Sequence, residues 1–563
     1  MTKKVLCFIL VSLMLFSFTS CAGKETDKQI VLPIDAEPKY LDPQIVSEAG
    51  AKNIIANCFD NLFVYDEKGD IVPSACEKYE VSDDGLRYTF YLRKDGRWRV
   101  TSAAKKTIEK FYENKKDYDF SRDFDLRVTA DDFVFALRRA LQPETKCPYA
   151  PGFMNIKNAA EVNKGKFKSN RLGVAAKDDY TLVIKLQKKD SDFISVLTSP
   201  AAAPCNEEFF EITKGHYGLS TDYLIYNGPF YISNWAEKTA ITARRNEYYR
   251  ATAEEIKKGE VSAADIVFPS SLYFSFNNEQ NTRADKIKNG TYAVAPLTKQ
   301  QSEEFINSKK YGLKAFNSSV TSFVFNLNDE ILAEKDIRKA ISYVLDESIF
   351  TENNGGTSAK GVLPEACVSE GTSYRDKTSS VTLKKGSKDE ALNMYKSVLD
   401  KLQKNDAEFV IICEEENETF VRNAMQNWQS VFGASFSVSV ESVDRNTLQS
   451  RVQSGEYQIA FCDVTYTDVT AQNALARYKS DSRDNLINLK SKYYDNLIEN
   501  ISRATDGKQK LAALKEAERF LVNTAVMIPV SESSVYYGTG KGVEGIVFNP
   551  TGEVQYFKNA IIR

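Results

Sequence analysis

The chain has 563 residues and a mass of 63.4 kDa, more than the roughly 250 to 300 residues at which one hydrophobic core stops growing, so two or three domains are expected. Its 42% hydrophobic and 27% charged residues are typical of a soluble globular protein and argue against a largely disordered chain. The 74 basic residues nearly balance the 77 acidic ones, and no long basic run carries interleaved aromatic residues, which excludes nucleic acid as the expected partner.

The first twenty residues are predicted to be a signal peptide. Lys3 and Lys4 precede an apolar run at residues 5–18, which is too short to span a bilayer as a folded helix. Phe-Thr-Ser-Cys-Ala-Gly follows at residues 18–23 and resembles a bacterial lipobox, whose cysteine receives a diacylglyceryl group. We therefore expect Cys21 to be lipidated and to hold the protein on the extracytoplasmic face of a membrane, in the periplasm if the cell has two membranes. An ordinary secretory signal is the alternative.

The other cysteines show no pattern typical of a metal site. Apart from Cys7 and Cys21 they are scattered, without a CxxC pair, and we expect them to be buried thiols, with a single disulfide as the alternative. His216 is the only histidine, so a multi-histidine metal centre is excluded and histidine-dependent catalysis would rest on this one residue. The sequence predicts no enzyme activity, no metal and no cofactor.

Strand and helix patterns alternate along the chain and predict a mixed α/β and α+β fold. Residues 86–92 and 180–186 alternate apolar and polar side chains, as half-buried strands do, and residues 323–327 form a further apolar strand. A βαβαβ unit is predicted later in the chain, with largely parallel or mixed pairing. Its elements are residues 409–412, 419–432, 436–443, 446–452 and 457–461.

The helix predicted at residues 130–141 has signals at both ends. Thr129 is its N-cap, and charged residues of the correct sign for the helix dipole follow at Asp131, Asp132, Arg138 and Arg139. The predicted buried stripe is Phe133, Ala136, Leu137, Ala140 and Leu141. Pro143 ends the helix, because its ring clashes with the preceding turn and it lacks an amide hydrogen.

This helix lies in a segment, VTADDFVFALRRALQPETKCPYA at residues 128–150, which resembles the oligopeptide-binding proteins of bacterial ABC importers, the family 5 extracellular solute-binding proteins. AEPKYLDPQ at residues 36–44 is similar to the opening segment of that family. Further similar segments follow in the family's order, at residues 59–98, 226–235, 244–250 and 325–346.

The resemblance implies two α/β lobes joined by two crossing strands, with an additional domain in the amino-terminal half. The lobes would close over a ligand and present it to a permease. The implied lobe I comprises residues 21–50, 170–297 and 527–563, the extra domain residues 51–169, and lobe II residues 298–526. We expect a monomer whose partners are an oligopeptide, the membrane subunits of an ABC permease and, through Cys21, membrane lipid.

The resemblance also implies where a peptide ligand binds. Main-chain groups of the protein would pair with the ligand as with an added strand. On one lobe these groups would belong to Ala36, Glu37 and Pro38. On the other lobe they would belong to a strand that includes Phe461, Cys462, Asp463 and Val464. In the family, Gly-Trp precedes an Asp-Tyr pair whose carboxylate receives the ligand's amino terminus. Here Gly and Trp are missing and Asp468 falls one place beyond the family's aspartate, so Asp468 and Asp463 are alternative anchors.

A second departure from the family is a charged insertion at residues 101–127, where the family has a short turn. The insertion predicts a solvated excursion, with partner docking as the alternative.

The predicted function is capture of oligopeptides and their delivery to a permease. The altered stretch at residues 461–468 favours the alternative of a non-peptide ligand on the same scaffold, such as a nickel complex, haem, a sugar or a signalling molecule. A peptide hydrolase and a holdase chaperone are less well supported by the sequence.

Overall fold

The structure, a computed structural model, describes residues 28–190, 192–276, 279–350, 357–466, 470–482, 485–504 and 506–563. The signal segment, Cys21 and Asp468 lie outside these residues, so the predictions made for them stay predictions. Within the described ranges, no helix is both long enough and apolar enough to cross a bilayer.

The strands belong to three sheets of four or more strands and to several two-stranded sheets. In chain order they are β1 Gln29–Pro33, β2 Phe63–Tyr65, β3 Ile71–Pro73, β4 Cys76–Val81, β5 Arg87–Leu92, β6 Val174–Asp178, β7 Thr181–Lys185, β8 Phe230–Ala236, β9 Ala240–Arg245, β10 Ser271–Ser275, β11 Val294–Leu297, β12 Gly312–Phe325, β13 Thr357–Ser358, β14 Val368–Ser369, β15 Thr372–Ser373, β16 Ala407–Glu414, β17 Phe436–Val443, β18 Ile459–Thr465, β19 Met527–Thr539, β20 Val543–Glu544, β21 Val547–Phe548, β22 Gln555–Tyr556 and β23 Ile561–Ile562.

The α-helices pack against these sheets, and short 3-10 turns connect several of them. In chain order they are α1 Ala49–Cys58, α2 Ser102–Phe111, α3 Phe120–Asp123, α4 Ala130–Ala140, α5 Ala159–Asn163, α6 Phe193–Val196, α7 Glu207–Ile212, α8 Ala253–Lys258, α9 Ala263–Ile266, α10 Arg283–Lys288, α11 Lys299–Ile306, α12 Lys335–Val344, α13 Lys388–Leu402, α14 Glu418–Phe432, α15 Arg445–Ser454, α16 Ala471–Ala476, α17 Lys492–Arg503 and α18 Gly507–Asn523.

Two four-stranded sheets build the amino-terminal part. The sheet β1-β10-β9-β8, which we call the lobe I sheet, pairs β1 with β10 in parallel and the other strands antiparallel. The sheet β4-β5-β7-β6 is antiparallel throughout and belongs to the extra domain. Strands β6 and β7 of this sheet lie beyond the predicted boundary at residue 169, and β7 pairs with β5 along Arg87–Leu92, while the domain boundaries stay predictions.

Lobe II is built on a seven-stranded mixed sheet in the order β11-β19-β12-β18-β16-β17, with β13 added on β19. The predicted βαβαβ unit is confirmed, because β16, α14, β17, α15 and β18 follow one another and β16 pairs in parallel with both β17 and β18. Helix α14 ends at Gly433, whose φ of +76° is a left-handed conformation that glycine adopts without steric cost.

Both faces of the lobe II sheet are buried. Phe323 and Phe325 of β12 point into one hydrophobic core together with Trp428, whereas Val324 between them points into a second core that includes Leu521. Adjacent residues on one strand fall in different cores because successive side chains of a strand point to opposite faces. The fold is therefore mixed α/β, as predicted from the alternating patterns.

Strands β12 and β19 cross between the two parts of the molecule. They pair antiparallel from Gly312 and Thr539 to Val324 and Met527. At one end Phe316 and Tyr537 pack on the lobe I core, and at the other end apolar residues of the same strands enter the cores of lobe II. The stretch between these ends is polar and irregular in register, which suits it to act as a hinge.

The helix predicted at residues 130–141 is confirmed as α4, and all five residues of the predicted stripe are buried. The Thr129 amide donates a 2.7 Å hydrogen bond to Asp132 Oδ2, which completes a capping box. Arg139 does more than complement the helix dipole: it is buried and forms an ion pair with Asp42, and its Nη1 also donates to Gln44 Oε1 at 2.6 Å. Two of the family-like segments therefore contact each other.

The insertion at residues 101–127 is only partly solvated. Its helix α2 buries Ala104 and Ile108 in the lobe I core, and Tyr112 donates a 2.8 Å hydrogen bond to Glu208 Oε1. The prediction of a solvated excursion was wrong for this helix, because among its dense charges two apolar residues, Ala104 and Ile108, lie one helical turn apart and are buried.

The cysteines of the described residues are free thiols. All are buried except Cys462, which is half-buried; the buried ones are Cys58, Cys76, Cys147, Cys205, Cys367 and Cys413. His216 is exposed, its ring lies 5.1 Å from that of Tyr223, and its Nδ1 is 3.0 Å from the Thr213 carbonyl oxygen.

Candidate functional site between the lobes

A large cleft lies where the two lobes and the crossing strands meet, with a cavity volume of about 1170 Å³. Pockets that hold drug-sized molecules measure about 300–1,000 Å³, so this cavity has room for a longer ligand. Polar residues on its wall include Asp35 and Arg283 from lobe I, Lys299 and Glu303 from helix α11, Asn317, Ser319, Thr321 and Glu532 from the crossing strands, and Glu414, Arg445, Asp463, Thr465 and Arg477 from lobe II.

Strand β18 presents a free edge to this cleft. One edge of β18 pairs with β12 along Ile459–Thr465, but the pairing of the other edge with β16 ends at Phe461. Among the residues that the structure describes, no strand pairs with that outer edge from Cys462 to Thr465. Backbone groups at such an edge are able to accept an additional strand, including an extended peptide.

The structure brings only some of the predicted lobe II residues to the cleft surface. Cys462 and Asp463 line the cavity, and Thr321 Oγ1 donates a 2.6 Å hydrogen bond to Asp463 Oδ1. Phe461 and Val464 are 1% and 3% exposed, with side chains in the cores, so their contribution to ligand contact is limited to the main chain. Alternation separates Asp463 from Val464, whereas Phe461 and Asp463 share one face of β18 and differ because the pairing with β16 ends at Phe461.

The predicted lobe I segment lies beside the cavity instead of on its wall. Asp35 lines the cavity, whereas Ala36, Glu37 and Pro38 are absent from its wall. The Glu37 carboxylate accepts hydrogen bonds of 2.8 Å from Trp235 Nε1 and from the Lys238 amide, which ties it to the β8–β9 hairpin. Pro38 is buried and Ala36 exposed. Ligand contacts at these three residues stay a prediction that this geometry does not favour.

Carboxylates outnumber cations on the described wall of the cleft. Arg445 Nε lies 3.1 Å from Glu414 Oε1, so part of the positive charge is already compensated. Burial raises the pKa of Glu414, and the charge of Asp463 raises it further against the opposing effect of Arg445. The Arg477 guanidinium donates a 2.9 Å hydrogen bond to the Thr465 carbonyl oxygen. The remaining negative charge favours a ligand that carries an ammonium group.

Glu532, on crossing strand β19, is a cleft residue that the sequence reasoning missed. Burial raises its pKa, and its Oε2 has no hydrogen-bond partner among the described residues, while the Lys360 amide donates to Oε1 at 3.5 Å. A signal was present in the sequence: Ser531-Glu532-Ser533-Ser534 interrupts an otherwise apolar strand with four polar residues. Such an interruption is typical of a strand that leaves a core to face a cavity.

A polar contact joins the extra domain to lobe II away from the cavity. Lys510 Nζ of α18 lies 2.8 Å from Asp192 Oδ2 and 3.3 Å from Asp190 Oδ1, and these side chains are 9–18% exposed. The same Asp192 carboxylate accepts hydrogen bonds from the amides of Glu370 and Gly371 at 3.1 and 3.2 Å. These two carboxylates raise the pKa of Lys510, so the lysine stays charged.

Two lobes, a pair of crossing strands and a large cavity between them define a ligand-binding protein of the two-lobed type. The comparisons place it more narrowly: residues 70–485 match the sequence profile described as bacterial extracellular solute-binding proteins, family 5, middle region. The match spans most of the chain, and the protein belongs to this family.

Characterised relatives and solved structures agree with this assignment. The Escherichia coli (strain K12) protein named "Probable deoxycholate-binding periplasmic protein YgiS" is 25% identical over 510 residues, 88% of this chain and 86% of its own length. The dipeptide-binding protein DppE of Bacillus subtilis (strain 168) is 22% identical over 94% of this chain and 91% of its own. The fold matches the crystal structure of an oligopeptide ABC transporter substrate-binding domain from Bacillus anthracis (strain Ames), with a TM-score of 0.75 at 23% identity over 96% of this chain and 99% of that one.

Proposed function

We propose that this protein captures oligopeptides in the cleft between its lobes and delivers them unchanged to the membrane subunits of an ABC importer. The observation that carries the proposal is the free edge of β18 at Cys462–Thr465, which faces a cavity large enough for an extended chain. Main-chain pairing at such an edge recognises the peptide backbone and is indifferent to side chains. No catalytic step is needed for this role.

The excess of carboxylates supports peptides with a free amino terminus. Asp463 is exposed on the cleft wall and holds one hydrogen bond from Thr321, which leaves its second oxygen for an ammonium group. Asp468 follows it closely in the chain and remains the alternative anchor. A charge-assisted hydrogen bond to either carboxylate would discriminate against blocked amino termini.

Attachment to the membrane through lipidated Cys21 would keep the protein near its permease. A diacylglyceryl group with a second acyl chain holds a protein stably at a membrane surface, whereas one chain does so only weakly. We expect Cys21→Ser to move the protein from the membrane fraction to the soluble extracytoplasmic fraction. An unchanged membrane fraction for this variant would contradict lipid anchoring.

A non-peptide ligand is the alternative function of the same cleft. Large apolar side chains also line it, namely Phe350, Phe420, Leu448 and Leu486, and they suit a rigid hydrophobic molecule. The relative YgiS, whose name gives deoxycholate as its ligand, makes an acidic steroid a concrete candidate. The surplus of carboxylates on the cleft wall disfavours such an anion, so the peptide is the better supported ligand.

Identification of the ligand that purifies with the protein tests this proposal. The protein is isolated without denaturation, unfolded in acid, and the released small molecules are analysed by liquid chromatography and mass spectrometry. A mixture of short peptides is the expected result, because main-chain recognition tolerates many sequences. A single steroid-like or metal-containing species would replace the peptide proposal with the alternative.

A further inference from the structure

A second cavity lies in the amino-terminal part, between helix α1, the β2–β3 hairpin and the carboxyl-terminal hairpin β21–β22. Its volume is about 450 Å³, within the range of pockets that hold small ligands. It shares no wall residue with the cleft between the lobes. A ligand in this cavity would therefore not compete directly with one in the cleft.

The floor of this cavity is a hydrogen-bonded network around one buried carboxylate. Asp60 Oδ2 accepts hydrogen bonds of 3.1 Å from Tyr249 Oη and from Arg250 Nη2, and Ser74 donates to Oδ1. The Asn227 side chain holds the main chain of Asp60 through bonds of 3.0 and 2.9 Å. The charge of Arg250 is thus compensated by Asp60, and neither side chain can move without breaking several contacts.

The position of Arg250 is maintained against the preference of its backbone. Its φ is +56°, a left-handed conformation that residues other than glycine, asparagine and aspartate seldom adopt. Its Nε is buried without a hydrogen-bond partner among the described residues. Strained backbone of this kind is often found at binding sites, where it holds a side chain in place for a ligand.

Lys558 carries a positive charge that the network around Asp60 does not compensate. It lines the cavity, and no described residue forms a hydrogen bond or an ion pair with its ammonium group. Burial and the nearby cations Arg250 and Arg93 lower its pKa, with Asp60 acting in the opposite direction. Arg93 is itself paired with Asp95. Lys558 is half-buried, and an anionic group placed beside it would compensate its charge.

The rest of the cavity selects the shape of the anion. Its walls are apolar and aromatic, formed by Phe59, Val64, Tyr65, Val547 and Tyr556. Asp66, Glu67 and Lys68 of the β2–β3 turn also line the cavity, and their net negative charge disfavours a ligand with several negative charges. The Asp66 carboxylate is occupied by the amides of Lys68 and Asp70, at 2.9 Å each.

We propose that this cavity is a second ligand site, in which Lys558 binds the carboxylate of a small monocarboxylic acid and the aromatic wall holds its apolar body. The proposal is independent of the ligand assigned to the cleft. It concerns an acid with a single negative charge and a hydrocarbon chain or ring.

Calorimetric titration with octanoate tests the site in the full mature protein. Wild-type protein is expected to bind octanoate at one site, and Lys558→Met, which keeps the side-chain stem but removes the charge, is expected to bind at least tenfold more weakly. Octylamine, with the opposite charge, is expected not to bind. Failure of wild-type protein to bind octanoate at millimolar concentration, or equal affinity in Lys558→Met, would overturn the proposal.

Two further variants keep the test specific. Lys116→Met removes an exposed lysine that does not line the cavity and is expected to bind octanoate like wild type. Val72→Phe fills the cavity from the β3 side without changing any charge and is expected to weaken octanoate binding at least tenfold. Unchanged octanoate affinity in Val72→Phe would place the bound acid elsewhere and contradict the proposal. Circular dichroism spectra and thermal unfolding midpoints, measured on the same proteins, report that each variant is folded.

Discussion

At the residue scale, two factors decide which side chains line the cleft. One is the alternation of side chains along a strand, and the other is the residue at which the neighbouring strand stops pairing. Asp463 faces the cavity and Val464 the core because their side chains point to opposite faces of β18. The sequence pattern predicted this strand only at residues 457–461, and Asp463 and Val464 were named because of the family resemblance. It could not predict Asp35 or Glu532, because each reaches the cleft through a pairing with a distant segment.

The anchor for a peptide amino terminus is tested with matched carboxamide variants. We expect Asp463→Asn or Asp468→Asn, whichever residue is the anchor, to weaken binding of free-amine peptides at least tenfold and to spare amino-acetylated peptides, because only the ammonium group needs the charge. Asp400→Asn, an exposed acid on helix α13, is the control. Calorimetry with one peptide in both forms measures the effect. If both variants still prefer free-amine peptides over amino-acetylated peptides as strongly as wild type does, neither residue is the anchor.

Cys462 reports directly on occupancy of the cleft. Only the thiolate reacts with iodoacetamide, and burial together with the charges of Asp463 and Glu414 raises the pKa of Cys462 to about 12. Alkylation should therefore be slow at neutral pH and accelerate about tenfold for each unit of pH below 12, while the fold persists. Bound peptide should slow it further by covering the strand edge.

Mass spectrometry of digested protein measures this alkylation at Cys462 itself. The other described cysteines are buried and serve as internal controls for unfolding. Equal alkylation of Cys462 with and without bound peptide would contradict peptide binding along β18.

At the element scale, local signals predicted elements well and pairings poorly. Helix α4 begins and ends as its cap, charges and proline predicted, and β17 was predicted with the bounds that the structure has. Strand β12 was predicted at residues 323–327, but it begins at Gly312, since its first half is polar and irregular in register. The ion pair between Arg139 and Asp42 joins residues 97 positions apart, which no local pattern reveals.

The contact between α18 and the loop after β7 is expected to stabilise the closed arrangement of lobes. Lys510→Met would leave Asp190 and Asp192 uncompensated in the closed form, where removing one member of a buried ion pair costs about 3–5 kcal/mol, whereas the open form hydrates them. We therefore expect at least a tenfold loss of peptide affinity. Fluorescence titration measures it, with the neighbouring exposed residue in Lys508→Met as the control. Unchanged affinity would show that this contact does not depend on closure.

At the scale of the whole molecule, the resemblance predicted what periodicity could not. Two lobes with crossing strands were implied by the order of the similar segments, and the structure has this architecture. The pairing of β7 with β5, about ninety positions earlier in the chain and across the predicted boundary at residue 169, was not predicted, because it depends on the three-dimensional fold. The sequence could not predict the cavity at Lys558 for the same reason, because its walls come from both ends of the chain.

Closure of the lobes on a peptide is the claim on which the proposed function depends, and small-angle X-ray scattering measures it most directly. Protein freed of its ligand is compared with the same protein after addition of the peptides released from it. A ligand that contacts both lobes shifts the population to the closed form, so we predict a smaller radius of gyration and loss of the interlobe gap from the distance distribution. A radius of gyration that stays the same while calorimetry shows the peptides bound would contradict capture between closing lobes.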